Sequence, residues 1–197
     1  LSYLITNTTM NMDRLVIKQI LGNEQVTQYY VVSLIGKTLV LLIAPINTIV
    51  ISYLTKRKER LTRSQFGKAV LAGGGVSLVF FVACQIGTPL FVWLFYRNLY
   101  ESVKGIVTVV NLAQILGLFS AFLFILVLTF TDERWQLWIQ LAHFCILLVS
   151  SVLAARTYGM MGFAVASLGA NSLRVAAVVI LGIVKAGKDK GDRNADR

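Results

Sequence analysis

Apolar residues along the chain form six long runs separated by short polar stretches. The runs cover residues 1–21, 28–54, 66–95, 103–129, 135–154 and 160–184. A helix that crosses a bilayer needs about 20 mostly apolar residues, because lipid offers the backbone no hydrogen-bonding partner. The pattern predicts an all-α membrane protein, a bundle of about six transmembrane helices with successive helices antiparallel. We expect the third run to be interrupted near Gly87-Thr88-Pro89.

Polar side chains recur inside these runs at the spacing of one helical face. In the first run Asn7, Asn11, Arg14 and Lys18 follow one another at intervals of four, three and four residues, which places them on one side of a helix. Shorter stripes occur in four other runs: Ser33 with Lys37, Lys104 with Thr108 and Asn111, Gln136 with Gln140 and His143, and Ser167 with Asn171 and Arg174. Together they predict a hydrophilic cavity inside the bundle.

Cations inside the runs indicate what this cavity binds. Arg14, Lys37 and Arg174 lie about 8–14 residues from the nearest expected helix end, and charges at membrane depth are rare and expensive. We predict that they hold an anionic solute, notably a phosphate or pyrophosphate group. Polar side chains predicted to line the same site are Asn11, Asn111 and Asn171. The alternative is that these groups hydrogen bond between helices and bind nothing.

Two titratable residues inside the runs have alternative interpretations. Asp13 is the one acid well inside a run; it either pairs with Arg14 or Lys37, or it couples transport to a proton or cation. His143 is the only histidine, and its ordinary titration range suits a proton role. The alternative is a histidine with a satisfied hydrogen bond in the core.

Composition and charge support a membrane protein and orient it. Hydrophobic residues make up 56% of the chain and charged residues only 14%, whereas a soluble domain is about a quarter charged. The net charge is +10, and positive residues gather in the turn 56–63 and again in the tail from Lys185 to Arg197, while Arg134 lies beside two acids in the turn after the fourth run. Because Lys and Arg are retained in the cytoplasm, we predict that the ends of the second, fourth and sixth helices and the N-terminus are cytoplasmic. Residues 1–185 are then the bundle, and 186–197 a basic cytoplasmic tail.

Residues for catalysis or metal binding are sparse. One histidine and two cysteines inside apolar runs supply no metal-ligand cluster, and no nucleophile–base pair or carboxylate dyad is apparent. We expect no enzyme activity, no cofactor, no metal and no nucleic-acid partner. The first residue is Leu1 and not Met, and we expect the sequence to belong to a longer chain.

Several segments resemble one family of transporters. The segment Asn11-Met12-Asp13-Arg14-Leu15-Val16-Ile17, followed by Leu21-Gly22 and Tyr29, is similar to the start of the C-terminal half of Wzx-type polysaccharide flippases, members of the multidrug/oligosaccharidyl-lipid/polysaccharide exporter superfamily. Three further segments resemble it: the basic turn 56–63, Trp93-Leu94-Phe95-Tyr96, and the opening of the last run from Tyr158 to Ala166. The turn Thr131-Asp132-Glu133-Arg134 departs from the family, which commonly has Gly followed by Arg or Lys there.

The resemblance implies one half of a two-bundle transporter in the bacterial inner membrane, working by alternating access. Its substrate would be a lipid-linked oligosaccharide of the undecaprenyl-pyrophosphate type, and its partner an N-terminal six-helix half or a second copy. Two alternatives remain: a cation-coupled multidrug exporter of the same superfamily, and a membrane assembly subunit that transports nothing.

Overall fold

Helices make up nearly all of the computed structural model, which describes residues 2–56, 62–128, 131 and 133–186. In this part of the chain the helices are α1 Ser2–Ile20, α2 Asn23–Lys56, α3 Arg63–Phe95, α4 Arg97–Val103, α5 Val107–Leu128 and α6 Glu133–Lys185. Five of the six predicted runs lie in α1, α2, α3, α5 and the first part of α6, and the last run forms the rest of α6. The short helix α4 was not expected.

A tight turn joins α1 to α2 and makes them antiparallel. Gly22 has a φ of 101°, a left-handed conformation that glycine adopts without steric cost. The backbone N–H groups of Leu21 and Gly22 both donate to the carbonyl of Ile17, at 2.8 and 3.1 Å. Both bonds go to this one carbonyl in the last turn of α1, and α2 begins at Asn23, directly after the turn.

Helix α3 is continuous through Pro89, so the predicted interruption near Gly87-Thr88-Pro89 is wrong. It begins with a capping box: Thr62 Oγ1 accepts from the backbone N–H of Gln65, and Gln65 Oε1 accepts from the N–H of Thr62. A proline inside a helix removes one N–H and crowds the preceding turn. Here the side chain of Asn111 donates to the carbonyl of Cys84 in that turn, at 3.1 Å. This bond joins α5 to α3 one turn before the proline, although the carbonyl that Pro89 leaves without a helical N–H is the next one, that of Gln85.

Helix α6 reverses direction at Gly159. This glycine has φ 62° and ψ −143°, and the residues before and after it form two helical halves. Two long-range contacts show that the halves run antiparallel: His143 meets Asn171, and Lys185 Nζ lies 5.9 Å from the centre of the Trp135 ring. The predicted antiparallel pair 135–154 and 160–184 is therefore confirmed, with a single glycine as the turn.

Three helices in the described part of the chain are long and apolar enough to cross a membrane: α3, α5 and the stretch Leu137–Lys185 of α6. Helix α5 is the central one, since it packs against α2, α3 and α6. Helix α3 has a largely exposed apolar surface that includes Leu71, Val79 and Ile86. Exposed apolar surface on such long helices is a feature of a membrane protein.

One end of the bundle gathers the basic helix ends. Arg63 Nε, at the start of α3, donates to the carbonyl of Ala186 at 3.3 Å, and the buried ring of Phe66 packs against Gly182. The contact of Lys185 with Trp135 lies at the same end. The basic segments 57–61 and 187–197, which carry much of the predicted cytoplasmic charge, lie outside the described residues.

Candidate functional site

An ion pair between α1 and α2 forms the centre of the candidate site. The Asp13 carboxylate bonds through Oδ2 to the ammonium group of Lys37. Its other oxygen, Oδ1, accepts the backbone N–H of Arg14 at 2.9 Å. Asp13 is buried, while 25% of the side-chain surface of Lys37 is exposed. This geometry confirms the predicted pairing of Asp13.

Arg14 lies beside this pair but contacts an aromatic ring. Its guanidinium carbon is 4.5 Å from the centre of the Tyr30 ring on α2, a cation–π distance. Residues 14 and 30 are each eight positions from Gly22 in the sequence, so the turn at Gly22 brings them side by side in the two antiparallel helices. The Arg14 side chain is otherwise exposed.

The predicted polar stripe of α1 lies on the surface of the bundle. Asn11, Arg14 and Lys18 are all exposed, as their spacing on one helical face requires. The opposite face of α1 is apolar and buried through Met12, Val16 and Ile17. The side chain of Asn7 lies outside the described residues. The sequence pattern thus separates the polar and apolar faces of α1, but the polar face lies on the outside of this bundle and does not line the predicted cavity inside it.

Tyr29, the residue before Tyr30, joins α2 to the second half of α6. Its side chain is buried. Its ring meets Phe163 edge to face, with centroids 5.1 Å apart. Sequence analysis missed Tyr29 and Tyr30 as site residues. Their position beyond the Gly22 turn, opposite Asp13 and Arg14, is the signal that would have found them.

Asn111 is fully buried and belongs to a different hydrogen-bond network, between α3 and α5. Its amide donates to the carbonyl of Cys84 at 3.1 Å and to Gln85 Oε1 at 3.0 Å, and its oxygen accepts from Thr88 Oγ1 at 3.2 Å. Gln85 in turn donates to Thr108 at 2.9 Å. These bonds use the amide group of Asn111 to join two helices.

Asn171 and His143 form a third group, between the halves of α6 and α5. His143 Nε2 lies 3.1 Å from Asn171 Oδ1, and the Asn171 amide donates to the carbonyl of Ala113 at 2.9 Å. His143 is buried. The arrangement is that of a histidine with a hydrogen bond in the core, the alternative to the predicted proton role.

Arg174 lies on the same helix as Asn171 and packs on α5. Its guanidinium carbon is 5.3 Å from the centre of the Phe124 ring, and its Nε is buried without a hydrogen-bond partner among the described residues. Beyond Phe124 is a small cavity of about 10 Å³, also lined by Val127, Ile139 and Val178. That volume is close to one water molecule, and its apolar walls do not suit an anion.

The residues predicted to form one site therefore occupy three places. Asp13, Arg14 and Lys37 meet at the α1–α2 surface with Asn11 nearby on the same face. Asn111 lies between α3 and α5, and the third group comprises His143, Asn171 and Arg174. Comparison with known protein families, with curated proteins and with solved structures finds no match for this chain. The α1–α2 group is the one with exposed cations, and it is the candidate site.

Proposed function

We propose that this chain is one half of a membrane flippase that moves a lipid-linked, pyrophosphate-bearing oligosaccharide across the bacterial inner membrane. One observation carries the proposal: an exposed cationic face on α1, with Arg14 and Lys18, lies in a bundle whose other helices expose apolar residues. A face of this kind is costly against lipid. It suits a water-filled cavity between two bundles.

The chemistry of the face favours an anion. Two cations, Arg14 and Lys37, accompany a single acid: Arg14 follows Asp13 in the chain, and Lys37 forms an ion pair with it. The guanidinium group of Arg14 offers a planar fork that fits phosphate oxygens, and Lys37 offers a point charge. Because Asp13 is already neutralised by Lys37, the site does not favour a cationic drug. The sugars would pass along the polar face of α1, while the lipid tails remain in the bilayer.

The second bundle would be an N-terminal six-helix half or a second copy of this chain. In that assembly the two halves of α6 would be separate crossings, and α1 and α2 would complete six. The end of the bundle that holds Arg63 and Lys185 would face the cytoplasm, since basic helix ends are retained there. Alternating access would then expose the α1–α2 face to each side in turn.

The test is export of a lipid-linked glycan in cells that depend on this protein for it. Replacing Arg14 with Gln should abolish export, and Arg14→Lys should retain part of it, because charge alone supplies part of the interaction. Arg97→Gln is the matched control, since Arg97 also stacks on an aromatic ring, Trp93, at 5.7 Å, but lies outside the site. Export is normalised to the amount of folded protein in the membrane. Wild-type export by Arg14→Gln would contradict the proposal.

A further inference from the structure

We infer that Asp13 is an internal counter-ion that occupies the anion site at rest, and that bound phosphate oxygens displace it from Lys37. The inference rests on the proposed function for the class of ligand, a phosphate or pyrophosphate group. It adds that the site is closed by the chain's own carboxylate, which acts as an autoinhibitory contact between α1 and α2.

The carboxylate of Asp13 occupies the ammonium group that a phosphate oxygen would bind. Oδ2 bonds to the Lys37 ammonium, and Oδ1 accepts the backbone N–H of Arg14, the next residue in the chain, at 2.9 Å. Asp13 thus binds one of the two cations of the site and leaves the guanidinium group of Arg14 in contact with Tyr30. A phosphate group offers the same kind of acceptor oxygens with more charge.

At rest, Asp13 pairs with Lys37, whereas the guanidinium group of Arg14 contacts the ring of Tyr30. The guanidinium group lies over the ring, 4.5 Å from its centre, and the side chain is exposed. A cation over an aromatic face keeps the N–H groups at its edge directed outward. Arg14 is therefore available to a ligand that approaches from the exposed face of α1, without first breaking an ion pair.

Lys37 has the exposure and the length to change partner. The exposed fraction of its side-chain surface is 25%, against 11% for the side chain of Asp13. A lysine ammonium sits on a flexible stem and reorients readily. A pyrophosphate beside Arg14 would attract Lys37 outward, whereas the buried carboxylate of Asp13 stays between the helices.

Displacement of Asp13 from Lys37 would also affect how α1 packs against neighbouring helices. Asp13 lies on α1, which packs against both α2 and α6. Without Lys37, the carboxylate keeps the Arg14 N–H but loses its counter-ion, and a buried charge without a counter-ion is costly. Ligand binding would therefore favour a different packing of α1 against α2 and α6, which is the coupling that alternating access needs.

The experiment measures binding of inorganic pyrophosphate by calorimetry to the protein in lipid nanodiscs. If Asp13 holds Lys37 about nine-tenths of the time, Asp13→Asn should bind pyrophosphate with a Kd roughly tenfold lower than wild type. Lys37→Gln should weaken binding, and the double variant should bind no more tightly than Lys37→Gln alone. Glu101→Gln is the matched control, because Glu101 also pairs with a lysine, Lys104, at 2.5 Å, but in an exposed pair outside the site. It should leave the Kd unchanged.

Two further measurements keep the inference testable. Asp13→Ser is a second variant, since a serine hydroxyl still accepts the Arg14 N–H. In the wild-type protein, an infrared difference spectrum needs no variant: the carboxylate band should shift when pyrophosphate binds and Lys37 leaves. Bound pyrophosphate with an unchanged carboxylate band would overturn the inference. So would folded Asp13 variants that bind pyrophosphate no more tightly than wild type, including no binding by either.

These outcomes separate the inference from the proposed function. Tighter pyrophosphate binding by Asp13→Asn, in a protein whose export does not depend on Arg14, would support the role of Asp13 as a counter-ion and contradict the proposed flippase function. Export that depends on Arg14, with no gain of pyrophosphate affinity in Asp13→Asn, would support the flippase function and contradict the role of Asp13 as a counter-ion.

Discussion

His143 Nε2 lies 3.1 Å from Asn171 Oδ1 and joins the two antiparallel halves of α6. The same Asn171 amide donates to the carbonyl of Ala113 on α5, at 2.9 Å. Gly117, one turn further along α5, lies close to Asn171, since a Cβ there would be 3.5 Å from the amide nitrogen. A single side chain thus fixes the α6 hairpin to the central helix.

Replacing Asn171 with Ala should destabilise the folded bundle. The change leaves the Ala113 carbonyl and the His143 ring without the Asn171 amide, and hydrogen bonds between membrane helices contribute about 0.6–2 kcal/mol. We expect a free energy of unfolding lower by about 1–2 kcal/mol in a denaturant titration in detergent. Ser172→Ala is the control, because among the described residues the Ser172 hydroxyl bonds only within its own helix, to the carbonyl of Leu168 at 2.8 Å. Equal stability of the two variants would show that this contact contributes little.

Replacing Asn111 with Leu should loosen α3 from α5. The side chain is fully buried, and its loss deprives the Cys84 carbonyl and Thr88 of partners. Buried polar groups left without a partner cost about 1–3 kcal/mol each, so thermal unfolding should occur at a clearly lower temperature. Thr108→Val removes one exposed bond, to Gln85, and should have a much smaller effect. Equal melting temperatures for both variants would contradict the network's structural role.

Gly182 should not tolerate even alanine. A Cβ at this position would lie under 3.0 Å from three atoms of the buried Phe66 ring, so the start of α3 would have to move away from the end of α6. Overpacking of this kind costs about 1–3 kcal/mol. Gly169→Ala, in the same half of α6, meets nothing within 4 Å and should be neutral or stabilising by up to about 1 kcal/mol. The comparison of the two melting temperatures tests the packing of α3 on α6.

Labelling of single cysteines tests the orientation of the bundle. In a chain without Cys84 and Cys145, Asn98→Cys on α4 should react with an impermeant thiol reagent outside intact cells, and Ser64→Cys should not. Both positions are exposed on the folded protein, so the membrane and not burial decides their reactivity. Both cysteines should react in permeabilised cells. Reaction of Ser64→Cys in intact cells would reverse the predicted orientation.

The apolar runs of the sequence determined the helices of this protein. Long apolar stretches can satisfy their backbone in lipid only as helices, and α5 accordingly lies within the run 103–129. The boundaries differ where a helix extends beyond its apolar run: α2 begins at Asn23 and not at residue 28, because polar residues complete its first turn. The spacing of Asn11, Arg14 and Lys18 likewise determined that they share one face of α1, whereas the position of that face on the outside of the bundle differs from the predicted interior cavity.

Only the tertiary structure decided which polar residues meet. Lys37 pairs with Asp13, whereas Arg174, predicted to share their cavity, packs on Phe124. Pro89 did not interrupt α3, and Asn111, far along the chain, bonds to the carbonyl of Cys84 in the turn before the proline. The physical reason is that residues facing lipid and residues facing another helix are both apolar, so the pattern does not encode rotation or register. Close packing between helices sets the rotation and register instead. At Gly36, for example, α2 lies so close to α5 that an added Cβ would be 2.8 Å from the Gln114 side chain.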